Sequence, residues 1–82
     1  MGLKKLAAKV AEYRDRLELG QASEITPDHV RKVLAKLQAK QAELEAKLDA
    51  ATDPQDRTRL ERKLGVARTQ IARAEWLLDE LA

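Results

Sequence analysis

Apolar residues recur along this chain in steps of three and four. Val30, Leu34, Leu37, Leu44, Leu48 and Ala51 form one ladder with Gln41 in its middle, and Leu60, Leu64, Ala67, Ile71, Ala74, Leu78 and Leu81 form another. Such spacing holds one stripe on one face of a helix, and that stripe leaves water only against a partner surface. A shorter stripe of Leu3, Leu6, Val10, Tyr13 and Leu17 precedes both. The pattern predicts helices over about residues 3–19, 27–51 and 54–81.

The residues between the stripes agree. Gly20 suits the position just past a helix end, where a positive φ costs glycine little. Residues 20–26 are the only stretch with linker character, and they are few enough to keep the first helix beside the second. Thr26, Pro27 and Asp28 then read as an N-cap, a first helical position and an acid favourable to the helix dipole. Ile25 before the cap and Val30 after it fit a hydrophobic staple, while His29 stands where a capping box would place glutamate. Asp53 and Pro54 give a second start signal, with Asp56 in the first turn.

A connection that short turns the third helix back antiparallel to the second. Folding the chain about residue 53 sets Leu48 near Arg57 and Leu60, and Leu44 near Leu60 and Leu64. Further along it sets Leu37 near Ala67, Leu34 near Ile71, and Val30 near Ala74 and Leu78. At ~1.5 Å per residue the hairpin arms are about 36 to 42 Å long and the first helix about 26 Å, so the first helix covers only part of the hairpin groove. The tip beyond Leu44 stays the least covered. The expectation is an all-α, up-down-up three-helix bundle, with residues 1–82 as a single small helical domain.

Composition sharpens this picture. Phe is absent and Trp and Tyr occur once each, so the core must form where helices meet through Leu, Val and Ala. Sixteen Lys and Arg face fourteen Asp and Glu, a net charge of +2, which suits a solvated surface of opposite-sign pairs. Without cysteine there are no disulfides or thiolate metal sites. No apolar run approaches the ~20 residues that span a bilayer. The start, Met1-Gly2-Leu3-Lys4-Lys5-Leu6, has no following apolar stretch of the signal-peptide kind, and Leu6 stands where myristoylation favours Ser or Thr. The expected location is cytoplasmic.

Few residues suggest chemistry. His29 is the single histidine, without a second histidine or cysteine to share a metal, and reads as a helix-start residue. Ser23 has no base near it in sequence, and a Ser-His-acid arrangement needs a buried geometry that a small bundle does not readily build. The acids show no Glu-x-x-His spacing of the carboxylate-bridged metal bundles. An enzyme, a cofactor and a metal are therefore not expected.

Trp76 falls on the side of the third helix away from the second, with Leu77 beside it and Thr69, Arg73 and Glu80 around it. Two settings suit it: a satellite cluster with Leu19, Ala22 and Ile25, or an interface, where exposed Trp is enriched. In the second case Trp76 and Leu77 are the anchors and Arg73 a rim charge. Leu77 also belongs, with Val33, to the flanks of the seam that a third helix must bury. Gln41, opposite Leu64 and Gly65, either sets the register of the seam or points into water at its edge.

Two other partners are weighed. Lys32, Lys36, Lys40 and Lys47 lie near one face of the second helix, and Arg59, Arg62, Lys63 and Arg73 crowd the third, a distribution that suits a phosphate backbone. Interleaved acids, the lack of a stacking platform and the absence of a helix-turn-helix spacing disfavour nucleic acid. The first helix, with Lys4, Lys5 and Lys9 beside its apolar stripe, suits an anionic membrane surface, but the hairpin needs that same stripe. Antiparallel helical hairpins occur as arms in many unrelated proteins, so the architecture implies no activity. The expected function is a non-catalytic protein-interaction or scaffold module, binding another protein or a second copy of itself through a helix face.

Overall fold

A computed structural model describes residues 2–81. Helix α1 spans Leu3–Glu18, α2 spans Pro27–Ala50 and α3 spans Pro54–Leu81, with a single 3₁₀ turn at Ala22–Glu24. The helices run up, down and up as an all-α bundle built on the α2–α3 hairpin. The molecule measures 47 × 19 × 18 Å and has a radius of gyration of 14.3 Å, against about 12 Å for a spherical domain of this length. The excess is the hairpin, which runs on beyond α1.

Glycine ends α1 as its position predicts. Gly20 has φ +74, its N–H donates to the Leu17 carbonyl at 3.1 Å, and the Gln21 N–H reaches back to the Arg16 carbonyl at 2.8 Å. These two bonds form a Schellman motif, which satisfies carbonyls the helix end would leave open. The chain then makes its 3₁₀ turn and buries Ile25 at 3% exposure. Residues 20–26 are thus more ordered than their linker character suggests, because Ile25 plugs the same core cluster as Val30.

The start of α2 departs from expectation in one detail. Thr26 holds the N-cap position and its carbonyl accepts from the His29 and Val30 amides, but its hydroxyl makes no cap hydrogen bond. Asp28 binds Arg31 at 2.7 Å. At the hairpin turn, by contrast, Asp53 caps as predicted, its Oδ1 accepting from the Gln55 amide at 3.0 Å.

Two clusters make the core. The larger holds Leu6, Val10, Tyr13, Ile25, Val30, Val33, Leu37, Ile71, Ala74 and Leu77, where all three helices meet. The smaller holds Leu44, Leu64 and Ala67 toward the tip, with Leu3, Leu48 and Leu60 packed against it. Ala67 therefore sits with Leu44 and Leu64 rather than opposite Leu37. Helix α2 ends at Ala50, one residue earlier than expected, and Ala51, Thr52 and Asp53 are outside either helix, which shifts the facing levels along the hairpin.

Candidate functional site

Three surface features stand out once the core is assigned. The first is Trp76, which remains 47% exposed on α3. Of the three residues of the satellite-cluster setting, Ile25 is buried in the main core, Ala22 is half-buried and Leu19 is 72% exposed. Leu77, expected beside it as a second anchor, is fully buried and belongs to the core. That half of the sequence expectation is corrected: one residue is 100° of helix from the next, so Trp76 faces out while Leu77 faces the α1–α2 side. Arg73, one turn before Trp76, is exposed.

The ground around Trp76 is acidic. Glu75, Asp79 and Glu80 surround it on α3, with Glu24 and Asp28 in the loop and helix start at the same end of the bundle. The last turn of α3 has no basic residue to offset the partial negative charge of its C-terminus. Asp79 and Glu80 add to that charge instead.

The second feature is a groove of about 570 Å³ where α1 begins and leaves the hairpin uncovered. Leu3 and Ala7 of α1 and Val66 of α3 give it apolar walls, and Lys4, Lys40 and Lys63 stand at its rim. Val66 is 46% exposed, an aliphatic side chain in water. No acid occupies the first turn of α1. Lys4 and Lys5 therefore lie at the positive end of the helix dipole, the unfavourable arrangement for a cation. Lys63 also borders the next depression toward the tip, lined with Lys47, Arg59 and Leu60.

The third is a lysine-lined face of α2. Lys32 and Lys36 line a shallow cavity of about 220 Å³ with Lys9, His29, Tyr13 and Val33. Further along, Glu43 bridges Lys47 at 2.9 Å and Lys40 at 3.6 Å. The hydrogen bond from Lys47 and the nearby charge of Lys40 hold the Glu43 carboxyl below its ordinary pKa. Tyr13 is almost entirely buried and offers no stacking platform to this face.

Gln41 is half-buried in the seam. Polar ties between α2 and α3 run elsewhere, through Glu45 and Arg68 at 3.6 Å and through Arg57 at the turn. Gly65 is exposed, with open space where a Cβ would sit. The polar residue most enclosed is Gln70, at 8% exposure. Position 70 lies off the α2-facing ladder of α3, so spacing alone does not mark it as buried.

Among the described residues no group of three or more His, Asp or Glu is arranged to hold a metal ion. No described helix is long and apolar enough to cross a membrane. Compared with protein-family models, curated proteins and solved structures, the chain matches none.

Proposed function

We propose that this chain is a non-catalytic protein-interaction module that presents the Trp76 face of α3 to a protein partner, in the cytoplasm. The half-exposed indole carries the reading. A large aromatic left in water on a rigid helix is the residue type that most often anchors an interface, and here it is the single Trp of an aromatic-poor chain. Its helix is held by a buried residue on either side of the exposed one, Ala74 and Leu77. The anchor is therefore pre-organised, which lowers the entropy lost on binding. Arg73 would serve as a rim charge setting orientation.

Photo-crosslinking tests this. A benzophenone side chain placed at position 76, with the same group at exposed position 62 as control, is expected to give a covalent adduct of defined mass in the cells that make the chain, from position 76 only. Free chain at both positions would overturn the reading.

A nucleic-acid interface is the second reading, favoured by one observation. Lys9, Lys32 and Lys36 converge on one face and none of them is in a salt bridge among the described residues. Phosphate contacts release counterions, so such binding should fall steeply as salt rises, whereas an apolar helix interface should change little. The membrane alternative uses the stripe of Leu3, Leu6, Val10 and Leu17; Leu6 and Val10 are buried and Leu3 and Leu17 half-buried against the bundle, so that reading requires α1 to leave the hairpin.

A further inference from the structure

We infer that the partner of the Trp76 face is a second copy of this chain, and that the indole docks head-to-tail into the lysine-rimmed groove at the start of α1. This rests on the interaction reading above and names its partner. Two observations on opposite parts of the molecule carry it. The donor end has one exposed indole with three acids, Glu75, Asp79 and Glu80, against one nearby base, Arg73, at a helix C-terminus with no basic residue in its last turn. The acceptor has an apolar groove walled by Leu3, Ala7 and Val66 and rimmed by Lys4, Lys40 and Lys63, at a helix N-terminus with no acid in its first turn.

Each end is thus unfavourable alone and matched by the other. Asp79 and Glu80 sit against the negative pole of α3, and Lys4 against the positive pole of α1. Bringing the α3 end of one copy to the α1 start of the next sets acids against lysines and opposite poles together. The indole then occupies the apolar space between the charges.

Charge is distributed to suit this over longer range too. Residues 14–31 and 69–81, which make the donor end, hold seven acids (Asp15, Glu18, Glu24, Asp28, Glu75, Asp79, Glu80) and four arginines (Arg14, Arg16, Arg31, Arg73). The rest of the chain carries the basic excess. The small net charge of +2 conceals one negative and one positive region, which steers unlike ends together.

The two surfaces differ, so the contact is heterologous and extends to a ring or an open chain of copies rather than closing as a two-fold dimer. It is also small. A fully buried aromatic covers ~150 to 250 Å², and Trp76, already about half covered, adds less than that, against the ~1,600 Å² of a standard interface. A dissociation constant on the order of 10⁻⁴ M is expected.

The heterologous character makes a decisive experiment possible. Val66→Glu spoils only the groove and Trp76→Ala only the indole, and both positions are surface-exposed, so circular dichroism should show each variant folded. In sedimentation velocity from micromolar to millimolar, the wild-type chain should associate and each variant should stay monomeric. Mixing the variants should then restore a one-to-one complex, because one supplies an intact indole and the other an intact groove. Trp76→Ala contains no Trp, so titrating it into Val66→Glu should shift the emission of Trp76 to the blue.

A wild-type chain that stays monomeric throughout overturns the inference. So does association that Val66→Glu leaves unchanged, or variants that do not complement. If position 76 nevertheless crosslinks to a different protein, the interaction reading stands and only the second-copy docking fails. Absence of any adduct removes both.

Discussion

The Arg57 guanidinium, in the first turn of α3, donates to the carbonyls of Leu48 and Ala51 at 3.2 Å each, so the start of one helix closes the end of the one before it. A helix leaves its last four carbonyls without helical partners. Here a side chain from the next element joins the Ala51 amide at the Leu48 carbonyl and also reaches the carbonyl of Ala51, just past the end of α2, so one guanidinium ties the two sides of the turn. Arg57→Ala should destabilise the bundle by about 1 kcal/mol, since the bonds are charge-assisted but solvent-exposed. In a domain of this size that corresponds to a fall in Tm of ~4 to 8 °C in thermal unfolding. Arg57→Lys should recover less than half of the loss, because a single ammonium cannot reproduce the planar fork.

Residues 76 and 77 should respond in opposite ways. Leu77 is fully buried where the helices meet, so Leu77→Ala should cost ~2 to 5 kcal/mol. That is a large part of the ~4 to 12 kcal/mol expected for a chain of this length. Trp76→Ala should move stability by less than ~1 kcal/mol. Urea unfolding of the two variants checks this, and a Trp76→Ala loss as large as that of Leu77→Ala would assign the indole to the core.

Gly65 lies mid-helix, exposed, with nothing near the position a Cβ would take. Gly65→Ala should therefore stabilise α3 by ~0.5 to 1 kcal/mol. The gain would appear as a higher urea midpoint at unchanged slope.

Glu43 gives the bundle a small acid sensitivity. Its carboxyl is held below the ordinary value by Lys47 and Lys40. A carboxylate whose pKa is lower folded than unfolded adds stability that is complete above the unfolded value and disappears as pH falls through the folded one. Stability should thus drop as pH is lowered through and below the normal carboxylate range, and Glu43→Gln should flatten that part of the curve without affecting it at alkaline pH. Added salt should shrink the difference, since the trio is exposed.

Most of the fold is legible in the sequence because each boundary has its own local chemistry. Gly20, Pro27, Asp53 and Pro54 act within a turn of where they stand, so reading them needs no tertiary knowledge. The rest depends on how the helices meet. Gln70 is enclosed although it stands off the ladder, and Leu77, which suited both an anchor and a seam flank, takes the second role, while Ile25 joins Val30 in the core as a staple should. The candidate site was half legible: Trp76 announced itself by its face, whereas the groove of Leu3, Ala7 and Val66 exists only in the space where α1 stops. No periodicity within one helix encodes a space shared by three.

The unequal lengths of the helices give the molecule a gradient of cooperativity. Residues near the open end are held from two directions and open only with the whole bundle, whereas Leu48 and Leu60 are held by a single neighbouring helix and a small cluster. Amide exchange at the turn should proceed through local fraying that leaves the far end closed. Mechanically the chain should act as a firm base carrying a compliant arm, and because the groove lies where one gives way to the other, a molecule seated there should stiffen the arm without touching its tip.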